Sequence, residues 1–456
     1  MFFLPAGPQT LQGMLSILTK SMYNCSARYI IIIFTSVYCN FKTINKCCMD
    51  DLSTMTTDCC ICGGGPAGMM LGFLLARAGV NVIVLEKHKD FLRDFRGDTI
   101  HPSTIQLMHE LNILDDFLKV PHQEVTTLKG QYNDFTVQIA DFSYLPLAKP
   151  VLGLMPQWDF LNFIATQAKQ YNNFKLLTEA NVTELVKTNG KVSGIKAVTP
   201  NGMLTVSANV VIGTDGRRST VRQQANLKVS TTGAPIDVLW FRLSRKKIDP
   251  VETFGRFAMG RMMVLLQRGE YWQCAYVIAK DGYEKIKQNN ITSFQKEVAA
   301  TAAFLSDRVD ELKDWEQVKL LSVAIDHLEQ WYCDGLLCIG DAAHAMSPIG
   351  GVGINLAIQD AVATANILYK PLLDKQPITI DILKQVQQRR MFPARIIQKV
   401  QVFIQNGIIQ RKTDLTKQTK LPFFFKLLKW FPVLQRIPAR VVGMGVRPEH
   451  IKTPKA

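Results

Sequence analysis

Three glycines at fixed spacing, Gly63-x-Gly65-x-x-Gly68, constrain this chain more than any other feature, because of what flanks them. Before them runs the apolar stretch Cys59–Cys62; after them Pro66–Ala78 reads as a helix, and Asn81–Glu86 (NVIVLE) as a second buried strand. Pro66 suits a first helical turn, where its missing N–H costs nothing. Strand, tight turn, helix and strand make the opening βαβ unit of a parallel sheet. The glycines let backbone approach a pyrophosphate at the positive end of the helix, and Glu86 is placed to accept hydrogen bonds from an adenosine ribose. The pattern predicts dinucleotide binding without separating NAD from FAD.

Two later segments separate them. Ala208–Gly213 (ANVVIG) reads as a buried strand and leads into Gly213-Thr-Asp215-Gly-Arg-Arg-Ser219. Alone, that segment could equally be a strand-end turn capped by Asp215. The third segment follows the strand Gly335–Gly340 and carries Asp341, His344, Pro348, Gly351, Gly353, Ile354 and Asn355. Asp341 can hold a sugar-alcohol hydroxyl. The Pro348–Gly353 loop exposes backbone N–H groups and is expected to start a helix near Ile354, running to about Tyr369. A helix N-terminus aimed at a flat ring stabilises negative charge gathered on two-electron reduction. A flavin needs that; a nicotinamide does not.

Together the three segments resemble the class A flavoprotein monooxygenases, the para-hydroxybenzoate hydroxylase superfamily that includes ubiquinone-pathway hydroxylases. The resemblance covers about residues 56–375. It implies an α/β fold in which a Rossmann-like FAD-binding domain (56–124, 156–230 and 325–375) interleaves with a mostly antiparallel substrate domain (125–155 and 231–324). It also implies that Gly63, Gly65, Gly68 and Glu86 hold the FAD adenosine diphosphate, that Arg96 lies near the FAD, and that Gln157 contacts the flavin. Asp215 would serve the FAD and pyridine-nucleotide pyrophosphates, Asp341 the ribitol, and Pro348, Gly351, Gly353, Ile354 and Asn355 the isoalloxazine. NADPH or NADH, lacking a fingerprint of its own here, would bind transiently in a groove. The implied chemistry is flavin reduction, reaction with O2 to a C4a-hydroperoxide, and oxygen transfer to a hydrophobic, aromatic or quinone-precursor substrate.

Two rival enzymes share that fold. A flavin halogenase would show Trp-x-Trp-x-Ile-Pro, whereas Val238-Leu-Trp240-Phe has a single Trp; a geranylgeranyl-reductase-like enzyme is the other. A non-catalytic FAD-bound accessory protein is a third alternative, against which the complete ring-contacting motif argues. No single side chain stands out as catalytic. His101 is the nearest candidate for lining the flavin pocket, and His344 reads as structural. Trp240, Phe241, Trp272 and Tyr276 fall on expected strands of the substrate sheet, where core packing is the commoner role.

Charge and cysteines add less. The formal charge of +15 is concentrated at one end: residues 381–456 hold 16 Lys/Arg against three acids, a net +13, and the body from 58 to 380 is neutral. Residues 376–456 are expected to form a basic helical tail. In it, Leu421–Phe431 (LPFFFKLLKWF) would either lie on an anionic membrane surface or dock on the body with a solvated basic face. Nucleic acid is not expected, since no recognition fold accompanies the charge. Seven of ten cysteines precede residue 63, but Cys59, Cys60 and Cys62 fit a buried strand, and no metal site is expected. Residues 1–55 read as a poorly structured extension, with Met49 and Met55 as natural starts. Their apolar run, Tyr29–Cys39, is too short to span a bilayer. The expected location is cytoplasmic, with peripheral membrane association where the tail takes the first of its two alternative roles.

Overall fold

The computed structural model describes residues 53–92, 99–132, 135–250, 253–258, 261–410 and 423–456. Residues 1–52 and Arg96 lie outside that set, as do the side chains of Leu421–Phe425.

An eight-stranded sheet carries the glycine turn. Its central strands are β1 (Ser53–Cys62), β2 (Val82–Leu85), β3 (Phe174–Leu177), β4 (Gly202–Gly213) and β5 (Leu336–Cys338), in spatial order β5-β4-β1-β2-β3. Pairing is parallel where Cys62 meets Leu85, Leu85 meets Leu177 and Gly213 meets Cys338. β1 is longer than its apolar half suggests. It begins at Ser53, so Met55 lies inside the strand rather than ahead of it, and only its last six residues are buried.

Helix α1 (Pro66–Arg77) buries nearly its whole length, from Ala67 to Arg77. It lies between the sheet, the helix Gln157–Ala168 and a long helix, α3 (Val352–Leu373). A shorter helix, α2 (Pro102–Glu110), follows the small strand Thr99–Ile100, which pairs with Leu152–Leu154. Ile61, Met69, Leu71, Val84 and Ile358 are fully or almost fully excluded from water in one core. Each such side chain contributes roughly 1.5–3 kcal/mol of burial free energy.

A second, seven-stranded sheet is built from 127–141, 236–279 and 319–321. Its hairpins are antiparallel, as expected; one parallel pair, Gly255 with Gly130, joins the early and late segments. Alternation sorts its aromatic residues. Phe241, Trp272 and Tyr276 point to the face covered by Phe294 and Val298 of the helix Ile291–Thr301 and are core. Trp240 points the other way.

The segment from 376 is not an appendage. Helix α4 (Ile380–Gln410) packs along α3, and Gln398 on it donates to the carbonyls of Asp326 and Ala345 at 2.8 and 3.0 Å. Helices α5 (Phe423–Trp430) and α6 (Arg436–Gly443) follow, packed on the edge strand Phe135–Asp141. Residues 446–456 form no helix or strand. They run back to the end of α1, where Arg77 donates to the Thr453 and Pro454 carbonyls, each at 2.9 Å. Among the described residues, no helix is long and apolar enough to cross a membrane.

Candidate functional site

The three motifs meet beyond the carboxyl ends of β1, β4 and β5, where open α/β sheets bind ligands. Backbone bonds join them: Gly63 N to Leu85 O at 2.8 Å, Thr214 N to Cys62 O at 2.8 Å, and Ile339 N to Gly213 O at 3.0 Å. The Thr214 hydroxyl donates to the carbonyls of Gly63 and Cys62 at 2.7 and 2.9 Å, clamping the second motif onto the first.

The glycines divide by role. Gly63 has φ +113°, and a Cβ there would lie 2.5 Å from the Thr214 carbonyl oxygen; one on Gly68 would lie 2.0 Å from the Gly63 carbonyl oxygen. Those two exist for chain-to-chain contact. A Cβ on Gly65, the N-cap of α1, would meet nothing within 4 Å. Its bare backbone opens on space at a helix N-terminus, as a pyrophosphate requires. Glu86 is buried at the end of β2, its carboxylate accepting from Gly64 N at 2.9 Å and His88 N at 3.1 Å. A carboxylate at the end of this strand is the acceptor type that an adenosine ribose hydroxyl needs.

Asp215 sits behind this turn. Burial raises its carboxyl pKa, against hydrogen bonds from Ser219 and neighbouring backbone N–H groups that favour the charge. Oδ2 accepts from Val221 N at 3.1 Å, while Oδ1 is buried with no protein partner. That orphaned acceptor fits a hydroxyl or bridging water on a bound nucleotide. Asp341, in the turn after β5, accepts from Arg217 Nε at 3.2 Å; Arg217 also donates to Met346 O at 3.1 Å and so ties the second motif to the third.

The Pro348–Gly353 loop is held from several directions. α3 begins at Val352, two residues earlier than expected, because Gly351 (φ +62°) adopts the left-handed conformation that caps it. A Cβ on Gly351 would lie 2.7 Å from Thr99 Oγ1. Asn355 is a clamp. Its amide oxygen accepts from His101 N and Thr104 Oγ1, both at 2.8 Å, and its nitrogen donates to Thr99 O and Gly351 O at 3.0 and 3.2 Å. Pro348 precedes a short 3-10 turn, Gly353 has only ordinary contacts around its missing Cβ, and Ile354 packs at the margin of the core. Gln401 of α4 donates to the carbonyls of Ser347 and Ile349, each at 2.9 Å.

His101 is buried and bridges two carbonyls, Nδ1 to Val442 O at 2.7 Å and Nε2 to Gly350 O at 3.1 Å. Burial lowers its pKa to about 4. Both ring nitrogens thus face backbone carbonyls, which links the Pro348–Gly353 loop to Val442. Gln157 opens the helix Gln157–Ala168, three residues beyond the strand that pairs with Thr99. His344 is sealed in the core, its Nε2 2.6 Å from Asp360 Oδ2. Cys59, Cys60, Cys62 and Cys338 are buried, and burial pushes the Cys59 and Cys338 thiols well up.

Above the loop lies an apolar surface. Trp240 pairs with Ala275, which pairs with Val264, so the three share one face of the seven-stranded sheet. Ile349 of the Pro348–Gly353 loop packs against the same buried cluster as Trp240, Met262 and Val264.

Thr214, Arg217 and Gln401 were not anticipated as site residues. Thr214 and Arg217 lie within the second motif and could have been weighed there; Gln401, on a distant helix, left no local signal.

Residues 56–398 match the FAD binding domain family. The chain is 31% identical over 348 residues to 6-methylpretetramide 4-monooxygenase of Streptomyces rimosus, covering 76% of this chain and 83% of that protein. It is 24% identical to 3-demethoxyubiquinol 3-hydroxylase of Escherichia coli K12, covering 76% and 88%. The fold is shared with OxyS anhydrotetracycline hydroxylase from Streptomyces rimosus (TM-score 0.68, 20% identity, 86% of this chain and 77% of that one). With the family match spanning most of the chain and a relative at 31% identity covered to 83% of its length, the chain belongs to the FAD-dependent aromatic monooxygenases of class A and is an oxidoreductase.

Proposed function

We propose that this oxidoreductase hydroxylates a hydrophobic aromatic or quinone-precursor compound, with NADH or NADPH as reductant and O2 as oxidant. FAD, when bound, would accept a hydride from the nicotinamide and pass one atom of O2 to the substrate, the other leaving as water. The chain supplies binding, orientation and dryness. Gly63, Gly65, Gly68, Glu86 and Asp215 would hold the adenosine diphosphate, and Asp341 the ribitol. Arg96, Gln157, Pro348, Gly353 and Ile354 complete the proposed contacts. The first-turn N–H groups of α3 would stabilise negative charge on the ring.

The observation that carries the substrate class is that Ile349 packs against the same apolar cluster as Trp240, Met262 and Val264. Those side chains would bind an apolar ring and exclude water from the reacting oxygen. The proposed substrate domain, 125–155 with 231–324, gains support from the seven-stranded sheet, although Leu152–Leu154 pairs instead with Thr99–Ile100. The relatives named for action on polycyclic and quinol compounds support the same substrate class.

The deciding experiment is to purify the yellow protein and follow NADH and NADPH oxidation with phenols and quinone precursors under 18O2. We expect substrate to accelerate oxidation and one 18O atom to appear in the product. Oxidation that no candidate accelerates, with no oxygenated product, would refute the reading.

A further inference from the structure

The C-terminal helical hairpin presents two faces of opposite character. Its inner side is fixed to the body. Leu428 and Ala439 are buried, Ala439 against the cluster of Phe142 and Leu145, and a Cβ on Gly443 would lie 2.6 Å from Leu145 Cδ1. Buried Gln435 locks the turn, donating to Leu428 O at 3.1 Å and accepting from Gln138 Nε2 at 2.9 Å.

The outer side is apolar and basic. Trp430, Phe431, Val433 and Ile437 are 63%, 57%, 65% and 61% exposed. Lys429, Arg436 and Arg440 are exposed among them, and Tyr144 joins at the rim with the Arg436 guanidinium 3.9 Å over its ring. From Leu421 to Pro448 the sequence has five Lys/Arg and no acid. Four large apolar side chains held in water by a rigid mount call for a covering surface. A protein core would favour apolar residues without this charge. A bilayer interface takes Trp and Phe at headgroup depth and rewards surrounding cations when its lipids are anionic.

We propose that the face formed by Lys429–Val433 and the outer side of α6 docks on an anionic lipid bilayer. The sequence left membrane contact and docking on the body as alternatives for this region. In the structure one side of the hairpin docks, and the other is free to meet lipid. The inference stands apart from the proposed chemistry, since it concerns a surface that the cofactor residues do not form.

The test is flotation of the full FAD-loaded chain with phosphatidylcholine vesicles, with and without phosphatidylserine. Two variants accompany it: Trp430→Ser with Ile437→Ser, and Lys429→Glu with Arg440→Glu. Retained FAD absorbance and unfolding temperature report that the variants fold. We expect the wild type to float with serine-containing vesicles and not with neutral ones, and each variant to lose about tenfold or more in partitioning. Absence of flotation, equal flotation on both vesicle types, or variants that float like the wild type would overturn the proposal. A dimer in solution that the Trp430→Ser, Ile437→Ser variant dissociates would also overturn it, assigning the face to a second copy of the chain.

Discussion

His344 Nε2 stands 2.6 Å from Asp360 Oδ2 with both side chains sealed from water, and Arg390 Nε holds the other carboxylate oxygen at 2.9 Å. Arg390 reaches on to Glu449 at 3.3 Å, and the Glu449 backbone N–H donates to Gln359, so this network ties α3, α4 and the C-terminal segment together. Burial opposes charge on Asp360, but His344 and Arg390 outweigh it and hold the carboxyl below its usual 3.8. The stabilisation is therefore complete above pH 3.8 and is lost only as pH falls through the lower folded value.

Asp360→Asn should cost about 3 kcal/mol or more in denaturant unfolding, because it removes the carboxylate that His344 and Arg390 share in the core and leaves Arg390 with its longer contact to Glu449. His344→Gln should cost less, since Arg390 still pairs the carboxylate. Equal and small losses in the two variants would refute a supporting role for the network.

Two glycine variants separate folding from cofactor binding. Gly68→Ala places a methyl 2.0 Å from the Gly63 carbonyl oxygen and should prevent stable folding. Gly65→Ala meets no protein atom within 4 Å, so the apoprotein should unfold within about 0.5 kcal/mol of wild type. Its FAD dissociation constant, read by flavin fluorescence, should nevertheless rise about tenfold or more, because the methyl enters the pyrophosphate space.

The two faces of the seven-stranded sheet should answer differently to alanine. Trp272 is fully buried, with its indole N–H 3.0 Å from Asp249, and Trp272→Ala should cost about 3–5 kcal/mol. Trp240→Ala should keep FAD and most of the stability but raise KM for the aromatic substrate. An unchanged KM would remove Trp240 from the substrate surface.

His101 gives a pH signature. Its pKa falls from 6.5 to about 4 on folding, so the unfolded chain binds the extra proton in that window and stability drops as pH falls through it. The full effect is about 3 kcal/mol. In His101→Asn the unfolding temperature should vary less between those pH values; an unaltered slope would show that another group dominates.

What the sequence disclosed follows how local each device is. The turn at Gly63–Gly68 and the acid at Glu86 act within one βαβ unit, so spacing alone revealed them. The start of β1 was hidden because Ser53, Thr54 and Thr56 are exposed and carry no apolar pattern. Helix α3 begins early because Gly351 turns left-handed against Thr99, a contact made across 252 positions of chain. The Asp360–Arg390–Glu449 network joins three separate segments, and no spacing rule links them. Alternation showed that Trp240 and Phe241 face opposite ways, but which face meets the flavin loop depended on how the sheet sits over Ile349.

The bridge made by His101 sets a choice between neighbours. A neutral imidazole owns one N–H, yet Gly350 and Val442 each present an oxygen to one of its nitrogens. When the proton sits on Nε2, the flavin loop has a donor and α6 faces a lone pair; when it sits on Nδ1, the loss moves to the loop. The grip on the turn at Gly350 and the grip on the outward-facing C-terminal helix are thus alternatives drawn from a single hydrogen, and strengthening one loosens the other.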